Sequence, residues 1–451
     1  MTDPTTQEPL QPVPFGHALL PHFPFAPTFK NLNHGSFGSP PLPVLTTQSQ
    51  YRTQLESRPD TFIRYTYGPL LDESRRAIAE LVRAPLDTVI LLPNATTGVN
   101  TVLRSLHYER GDHIAYFSTT YPACEKTVLY LCESTAAEPV RVDLRYPLED
   151  DEVVRKFRDA LRGVEGRVKV AVLDTIVSLP GVRMPFEKLV QVCREEGVLS
   201  MIDGAHGLGH IDLDLGALDA DFFTSNCHKW LFTPRPCAIL HVPTRNQPLI
   251  RSSLPTSHGY EPLPPTDPDS VPSIANPFPP GSTPAFAHLF SFVGTVDPTP
   301  YLSIPAALAF RRTVCGGEAA ILSYCHGLAR EGGRRAAAVL GTEVLENGTR
   351  TLQAGTCFAN VRLPLSVGTG EAADGGVRRE DVAAVPAWLM RTMADESDVF
   401  VSVTRHAGHW WGRFSAQVYL EVEDFEEGAR VLKGLCERVG RGEAVRQTKG
   451  G

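Results

Sequence analysis

The residue of this chain best suited to covalent chemistry is a lysine at the end of an apolar segment. Lys229 follows the apolar run 221–224 closely. Its neighbours His228 and Trp230 make its surroundings partly cationic and partly apolar, and both conditions lower the pKa of a lysine by disfavouring its charged form. The resulting neutral amine is the nucleophile that imine formation with a carbonyl requires. We therefore interpret Lys229 as a Schiff-base residue.

Two further segments could complete a site around this amine. Asp203 ends the apolar run 199–202, and the small-residue turn 94–98 precedes a helical pattern. Ligands of open α/β sheets bind at the carboxyl ends of the strands, so Asp203 and Lys229 can converge. A helix start suits a phosphate, and an aspartate facing a pyridine nitrogen keeps it protonated. Together the three features indicate pyridoxal phosphate (PLP).

The elements that must position these residues alternate between short apolar runs and helical patterns. Strands are predicted at 88–92, 113–117, 168–173, 199–202, 222–224 and 238–242. Nearly continuous apolar strands separated by helices are typical of an α/β fold whose mostly parallel sheet is covered on both faces. Helix is predicted over 44–83 with a break near Pro59, and again over 424–439. Between them, the helical pattern resumes from 302 and the segment 342–401 alternates again, so this part of the chain is predicted to be α+β.

The length of 451 residues allows two or three domains. We predict a leader and arm at 1–43, a large α/β domain at 44–300 and a smaller α+β domain at 301–451. The segment 262–284 contains nine prolines. Proline is excluded from helix interiors and central strands, so this segment is predicted to be an extended connector.

Composition argues against several classes of function. The chain has 43 Lys+Arg against 51 Asp+Glu, a formal charge of -8, and so lacks the basic surplus that drives nucleic-acid binding. No apolar run approaches the ~20 residues of a membrane helix. Nine cysteines without a CxxC pair, in a chain that shows no signal-peptide pattern, predict reduced thiols and a cytoplasmic location.

Several segments resemble a known family. The three features above, with 33–36 and 294–295, are similar to the class V aminotransferases, a group of fold-type I PLP enzymes that includes cysteine desulfurases and isopenicillin N epimerases. Likeness to the fungal carbon–sulfur lyases of the ergothioneine pathway extends over nearly the whole chain from about residue 14. It is clearest in the stretches 225–234, 251–259, 292–297 and 415–421.

The resemblance implies roles for individual residues. Lys229 would hold the cofactor covalently, Asp203 would face its ring nitrogen, and His206, where many relatives have glutamine, would approach the ring hydroxyl. Tyr121 would act as an acid toward the leaving group, and Arg413 would clasp the substrate carboxylate. Core packing for Tyr121 and a structural ion pair for Arg413 stay open. The resemblance also implies that the phosphate of the cofactor is contacted by Ala95, Thr96, Asn226, His228 and Thr295. It implies that the substrate is contacted by Asn33 and His34.

Because Thr295 would reach the phosphate from a second subunit, the resemblance also implies a homodimer. The implied reaction is β-elimination on an amino-acid substrate, hercynylcysteine sulfoxide, giving pyruvate and ammonia. The alternatives are a loline-pathway type of Mannich cyclisation and an amino-acid epimerase. The segment 404–411 departs from the more basic run expected of the lyase. No metal is expected, since two glycines between His206 and His210 disfavour a helical ligand pair.

Overall fold

The computed structural model describes residues 10–263, 283–368 and 376–446. Most of the predicted connector, and the first nine residues of the predicted leader, lie outside these ranges. Within them, no helix has the length and apolar character that crossing a membrane requires.

Short strands supply the framework of the molecule. In chain order they are β1 (Lys30–Asn31), β2 (Val89–Leu92), β3 (Asp112–Phe117), β4 (Glu138–Val142), β5 (Arg167–Asp174), β6 (Leu199–Asp203), β7 (Phe222–Asn226), β8 (Ala238–His241), β9 (Phe358–Arg362), β10 (Val399–Phe400), β11 (Ser402–His406) and β12 (His409–Ser415). A seven-stranded sheet has the order β2-β8-β7-β6-β5-β3-β4, in which only β8 runs antiparallel to its neighbours. The predicted α/β class with a mostly parallel sheet is confirmed.

All six predicted strands belong to this sheet, and β4 is a seventh strand that the sequence did not predict. It lies at the edge of the sheet, alternates between exposed and buried residues, and contains Pro139. Proline is tolerated on an edge strand because its missing N–H group can face solvent. A prediction rule that excludes strands from segments with proline therefore misses edge strands such as β4.

Helices cover the sheet and build the remaining layers. They are α1 (His34–Phe37), α2 (Leu42–Ser57), α3 (Pro59–Thr61), α4 (Tyr67–Leu81), α5 (Ala95–Ser105), α6 (Pro122–Ser134), α7 (Asp150–Arg162), α8 (Phe186–Glu196), α9 (Leu215–Leu218), α10 (Cys227–Trp230), α11 (Ala285–Ser291), α12 (Thr299–Leu302), α13 (Ile304–Thr313), α14 (Glu318–Leu340), α15 (Val385–Glu396), α16 (Val422–Gly440) and α17 (Glu443–Arg446). The predicted break near Pro59 is confirmed, because α2 ends at Ser57 and a new helical segment begins at Pro59.

The segment 342–401 contains both strands, β9 and β10, and a helix, α15. The buried residues of this helix include Val385, Trp388, Leu389 and Thr392. Their spacing of three and four is that of one helix face.

The N-terminal arm is joined to the C-terminal part of the chain. Strand β1 pairs in parallel with β10, and β11, β12 and β9 form a separate antiparallel sheet. Helix α13, which the predicted division assigns to the smaller domain, packs against α2 and α4 of the larger one. The domain boundaries therefore stay a prediction.

A glycine forms the close contact between the arm and the segment that carries Lys229. Gly38 ends α1 with φ 68° and ψ 172°, a region that essentially only glycine occupies. A Cβ atom at this position would lie 1.7 Å from the carbonyl oxygen of His228 and 2.8 Å from that of Lys229. The arm can approach this backbone only because residue 38 has no side chain.

We expect Gly38→Ala to lower the free energy of unfolding by roughly 3 kcal/mol or more, because it adds a backbone clash to an unfavourable conformation. Gly341→Ala is the matched control: Gly341 has φ 67° and open space around its Cβ position, so the backbone penalty alone applies, about 1–2 kcal/mol. Urea unfolding of the two variants tests this. Equal losses would show that the close contact contributes nothing.

Candidate active site

The predicted site residues converge on one cleft at the carboxyl ends of β5, β6 and β7. The cleft has a volume of about 670 Å³ including its open mouth. Eight of the twelve predicted residues line it: Ala95, Thr96, Tyr121, Asp203, His206, Asn226, His228 and Lys229. The strands bring these residues together because β6 ends at Asp203 and β7 leads directly into α10, the short helix that contains Lys229.

The amine of Lys229 lies inside the cleft and is poorly hydrated. Its Nζ is 3.2 Å from Nε2 of His206. Burial lowers the pKa of Lys229 to about 8, and the charge of Arg413 adds to this shift while Asp203 and Cys124 oppose it. At pH 7 about one amine in ten is then neutral, compared with fewer than one in a thousand for an ordinary lysine. The cleft thus prepares this lysine for nucleophilic attack.

A tryptophan fixes the tautomer of His206. The indole Nε1–H of Trp230 donates to Nδ1 of His206 at 3.2 Å. Indole can only donate, so Nδ1 is an acceptor and carries no proton. Burial and nearby cations hold the pKa of His206 well below its usual range, so the ring is neutral and its proton is on Nε2. His206 therefore presents an N–H donor toward the amine of Lys229.

The carboxylate of Asp203 is buried and held by two donors. The backbone N–H of Ala205 donates to Oδ1 at 3.0 Å, and the Sγ–H of Cys124 donates to Oδ2 at 3.2 Å. Burial and the nearby carboxylate raise the pKa of the Cys124 thiol, so this cysteine stays protonated and acts as a donor. Its place beside Asp203 gives it a supporting role and leaves nucleophilic chemistry to Lys229.

The start of α5 offers a site for an anion. Asn94 caps the helix by accepting the N–H of Thr97 at 2.8 Å, and Asn226 accepts the N–H of Ala95 at 2.9 Å. The N–H of Thr96 lies in the first turn, where the helix itself supplies no carbonyl partner, and Thr96 lines the cleft. This N–H, the hydroxyl of Thr96 and the positive end of the helix suit a phosphate group.

A buried arginine borders the cleft without an acidic partner. Arg413 donates to the carbonyl oxygen of Ser178 at 2.6 Å, to Oδ1 of Asn33 at 2.9 Å and to Oγ of Ser36 at 2.8 Å. It also stacks over the ring of Phe358 at 4.4 Å. Among the described residues no carboxylate pairs with it, and its Nε is buried with no hydrogen-bond partner.

Burial lowers the pKa of Arg413 to about 9. A buried and uncompensated charge of this kind is costly unless a ligand of opposite sign completes it. The open alternative of a structural ion pair for Arg413 therefore has no carboxylate to supply it in the part of the chain that the structure describes.

Two predicted residues lie elsewhere. His34 is buried behind the cleft: its Nδ1 is 2.9 Å from the hydroxyl of Tyr419, and its Nε2 is 2.7 Å from the backbone oxygen of Lys229. With both ring nitrogens engaged, His34 supports the backbone of Lys229, and its implied contact with substrate stays a prediction. Thr295 lines a separate, mostly apolar cavity that includes Thr97, so one copy of the chain does not bring it to Lys229.

Asp174 and Ser178 are cleft residues that the sequence analysis missed. The sequence contains a signal for Asp174, because this residue, like Asp203, is the last residue of a buried apolar strand. The predicted strand stopped one residue before it. Ser178 contributes through its backbone oxygen, and no residue-type signal reveals such a contact.

Comparison with known proteins identifies the family. Residues 41–258 match the family model for class-V aminotransferases. The L-cysteine desulfhydrase-like protein lolT1 of Epichloe uncinata is 39% identical over 95% of this chain and 97% of that protein. This chain belongs to the class-V aminotransferase family. The hercynylcysteine sulfoxide lyase of Schizosaccharomyces pombe is also similar to this chain: it is 27% identical over 94% of this chain and 98% of that protein.

The fold comparison agrees with this family assignment. A structure of a C-DES variant with glycine covalently linked to its PLP cofactor superimposes with a TM-score of 0.71 at 16% identity, covering 91% of this chain and 98% of that one. This class-V protein is therefore an enzyme that depends on PLP. The residues of this cleft fit that cofactor, since it contains a partly neutral amine, a fixed carboxylate and a helix start open to phosphate.

The pKa of Lys229 predicts how the cofactor-free protein takes up PLP. Because only the neutral amine attacks the aldehyde, the rate of covalent loading should rise nearly tenfold per pH unit up to about pH 8 and then level off. Stopped-flow absorbance after mixing with PLP measures it. Arg413→Gln should move the break to higher pH, because the charge of Arg413 lowers the pKa of Lys229. A rate that keeps rising toward pH 10 would contradict the lowered pKa.

Proposed function

We propose that this PLP enzyme is a carbon–sulfur lyase acting on a cysteine sulfoxide conjugate, with hercynylcysteine sulfoxide as the substrate, in ergothioneine biosynthesis. The observation that carries the proposal is Arg413, a buried guanidinium with no acidic partner beside the Lys229 cleft. It can bind the α-carboxylate of an amino acid through two parallel hydrogen bonds. The name and 27% identity of the fission yeast lyase support the substrate class.

Bound PLP supplies an aldehyde carbon that condenses with amines and a ring that accepts electron density from Cα. The residues of this chain supply the binding and the proton transfers. The start of α5 would hold the phosphate, and Asp203 would hold the ring nitrogen in its protonated form. Arg413 would orient the substrate so that its Cα–H bond faces Lys229.

Lys229 would then act as the base and take the proton of Cα on its Nζ. Loss of that proton supplies the electron pair that forms the Cα–Cβ double bond and breaks the bond from Cβ to sulfur. Tyr121, whose side chain is 43% exposed at the cleft, would donate its hydroxyl proton to the departing sulfenate. Water converts the released aminoacrylate into pyruvate and ammonia.

We also propose that the enzyme is a homodimer whose second copy completes the phosphate site through Thr295. This residue is exposed and lies outside the Lys229 cleft of its own copy. Neighbouring Val296 is 57% exposed, which suits a segment that is covered by another copy of the chain.

A second candidate function uses the same proton abstraction for a different outcome. In a loline-pathway type of Mannich cyclisation, the electron pair left at Cα would form a carbon–carbon bond, and in an epimerase it would be reprotonated on the opposite face. The observation that favours this candidate is a difference in sequence identity. This chain is 39% identical to lolT1 but 27% identical to the fission yeast sulfoxide lyase.

Arg413→Lys tests the lyase and the observation that carries it. Wild type should release pyruvate from cysteine sulfoxide conjugates. Arg413→Lys should raise KM by roughly 10- to 100-fold, because a lysine cannot make the paired hydrogen bonds of a guanidinium. Exposed Arg405 provides the control, since Arg405→Lys should leave KM unchanged. Absence of pyruvate across the sulfoxide series, with wild type fully loaded, would overturn the lyase.

Tyr121→Phe separates the two candidate functions. If Tyr121 protonates the leaving group, pyruvate release should fall roughly 100-fold or more, while exchange of the Cα hydrogen with solvent deuterium, a step of Lys229, should change little. Mass spectrometry of recovered substrate measures the exchange. Equal slowing of both would contradict the leaving-group role, and exchange without pyruvate in wild type would favour the cyclase or epimerase.

A further inference from the structure

Two carboxyl groups stand side by side at the floor of the cleft. Asp174 and Asp203 are the last residues of β5 and β6, and they are register partners in this parallel pair. Partners on adjacent parallel strands point to the same face of the sheet, and the strands lie about 5 Å apart. Both residues are 3% exposed, and both line the cleft.

The hydrogen bonds of the two carboxyl groups are unequal. Both oxygens of Asp203 accept a hydrogen bond, one from Ala205 and one from Cys124. Asp174 interacts with the side chain of Thr120. Its Oδ2 is buried and has no hydrogen-bond partner among the described residues. The surroundings therefore stabilise a negative charge on Asp203 much better than on Asp174.

Among the residues that the structure describes, no cation forms a salt bridge with Asp174. The titratable groups found to interact with it are Asp203 on β6, Cys124 on α6 and Tyr146 after β4. Burial and the nearby charge of Asp203 raise the pKa of Asp174 well above its usual range. Two like charges at this separation in a dry site cannot both persist, so one proton must stay with the pair.

We propose that Asp174 is a positioning residue of the cofactor site: its carboxyl group holds a proton, so that the pair carries a single negative charge and that charge stays on Asp203. The inference rests on the proposed role of Asp203 toward the ring nitrogen. A protonated Asp174 avoids repulsion of the Asp203 carboxylate, and its buried Oδ2, which no donor among the described residues contacts, can carry the proton. If Asp203 loses its charge, Asp174 becomes the group that can ionise.

The same substitution at the two neighbours gives a matched test of PLP binding. Asparagine resembles a protonated carboxyl group in size and neutrality. We therefore expect Asp174→Asn to change the dissociation constant of PLP by less than threefold and Asp203→Asn to raise it at least tenfold. Fluorescence titration with PLP measures both constants. Equal losses in the two variants would show that Asp174 carries charge and would overturn the proposal.

Infrared difference spectroscopy tests the proton itself, whether or not a variant binds PLP well. At pH 7 the wild type minus Asp174→Asn spectrum should contain the carbonyl stretching band of a protonated carboxyl group. Labelling with carboxyl-¹³C aspartate in the wild type should shift that band, which tests the assignment without any substitution. In Asp203→Asn, the band should disappear at a pH at least one unit lower than in wild type, because no neighbouring charge then opposes ionisation.

Absence of the band at pH 7, or the same titration midpoint in both proteins, would overturn the inference. These readouts are independent of the reaction. If no sulfoxide yields pyruvate, the lyase proposal fails while the band and the PLP constants still decide the state of Asp174. If the band is absent, the lyase assay is unaffected.

Discussion

The cost of charge in a poorly hydrated cleft governs this active site. An amine of ordinary pKa is almost wholly protonated at neutral pH and cannot attack a carbonyl. Removal of water from Lys229 and the positive charge of Arg413 together lower its pKa to about 8. Arg413 is itself buried and lacks a carboxylate partner in the described chain. The site therefore keeps Lys229 reactive through a positive charge that an anionic substrate would neutralise.

The effect of the Arg413 charge on Lys229 would change in the course of the proposed reaction. While Arg413 is uncompensated, it favours the neutral amine of Lys229, which is the form that reacts with PLP. In the proposed reaction, a substrate carboxylate would cover Arg413, which would weaken its effect on Lys229 and make the amine a stronger base. A stronger base is what removal of a Cα proton requires. Under this proposal, one arginine would suit Lys229 to a nucleophilic role before substrate binds and to a basic role afterwards.

How much of this could be read from the sequence depends on the distance over which each contact acts. Lys229, Asp203 and the turn 94–98 each follow a buried strand, so a local pattern places all three at one sheet edge. The tautomer of His206 was beyond reach, because it depends on Trp230 from the next strand end. The role of His34 was not predictable either, since its partners Lys229 and Tyr419 are 195 and 385 positions away.

Secondary structure shows the same division. Strands buried on both faces have continuous apolar sequences and were predicted within a residue or two, whereas the exposed edge strand β4 has no such sequence. The domain division and the proposed role of Thr295 cannot be predicted from local sequence patterns. They depend on how distant parts of the chain, or two copies of it, pack together.

The N-terminal arm explains why such distant residues form one site. Asn33 and Ser36 orient Arg413, and His34 and Gly38 contact the backbone around Lys229. From the opposite side, Arg311 donates to the backbone oxygen of Trp230 at 2.7 Å. The segment that carries Lys229 is thus held on both sides. Because one short helix of the arm contacts both this segment and Arg413, a shift of the arm would displace Arg413 and the amine of Lys229 together. The separation between these two groups would thereby be preserved, and the proposed proton transfer from Cα would depend on that separation.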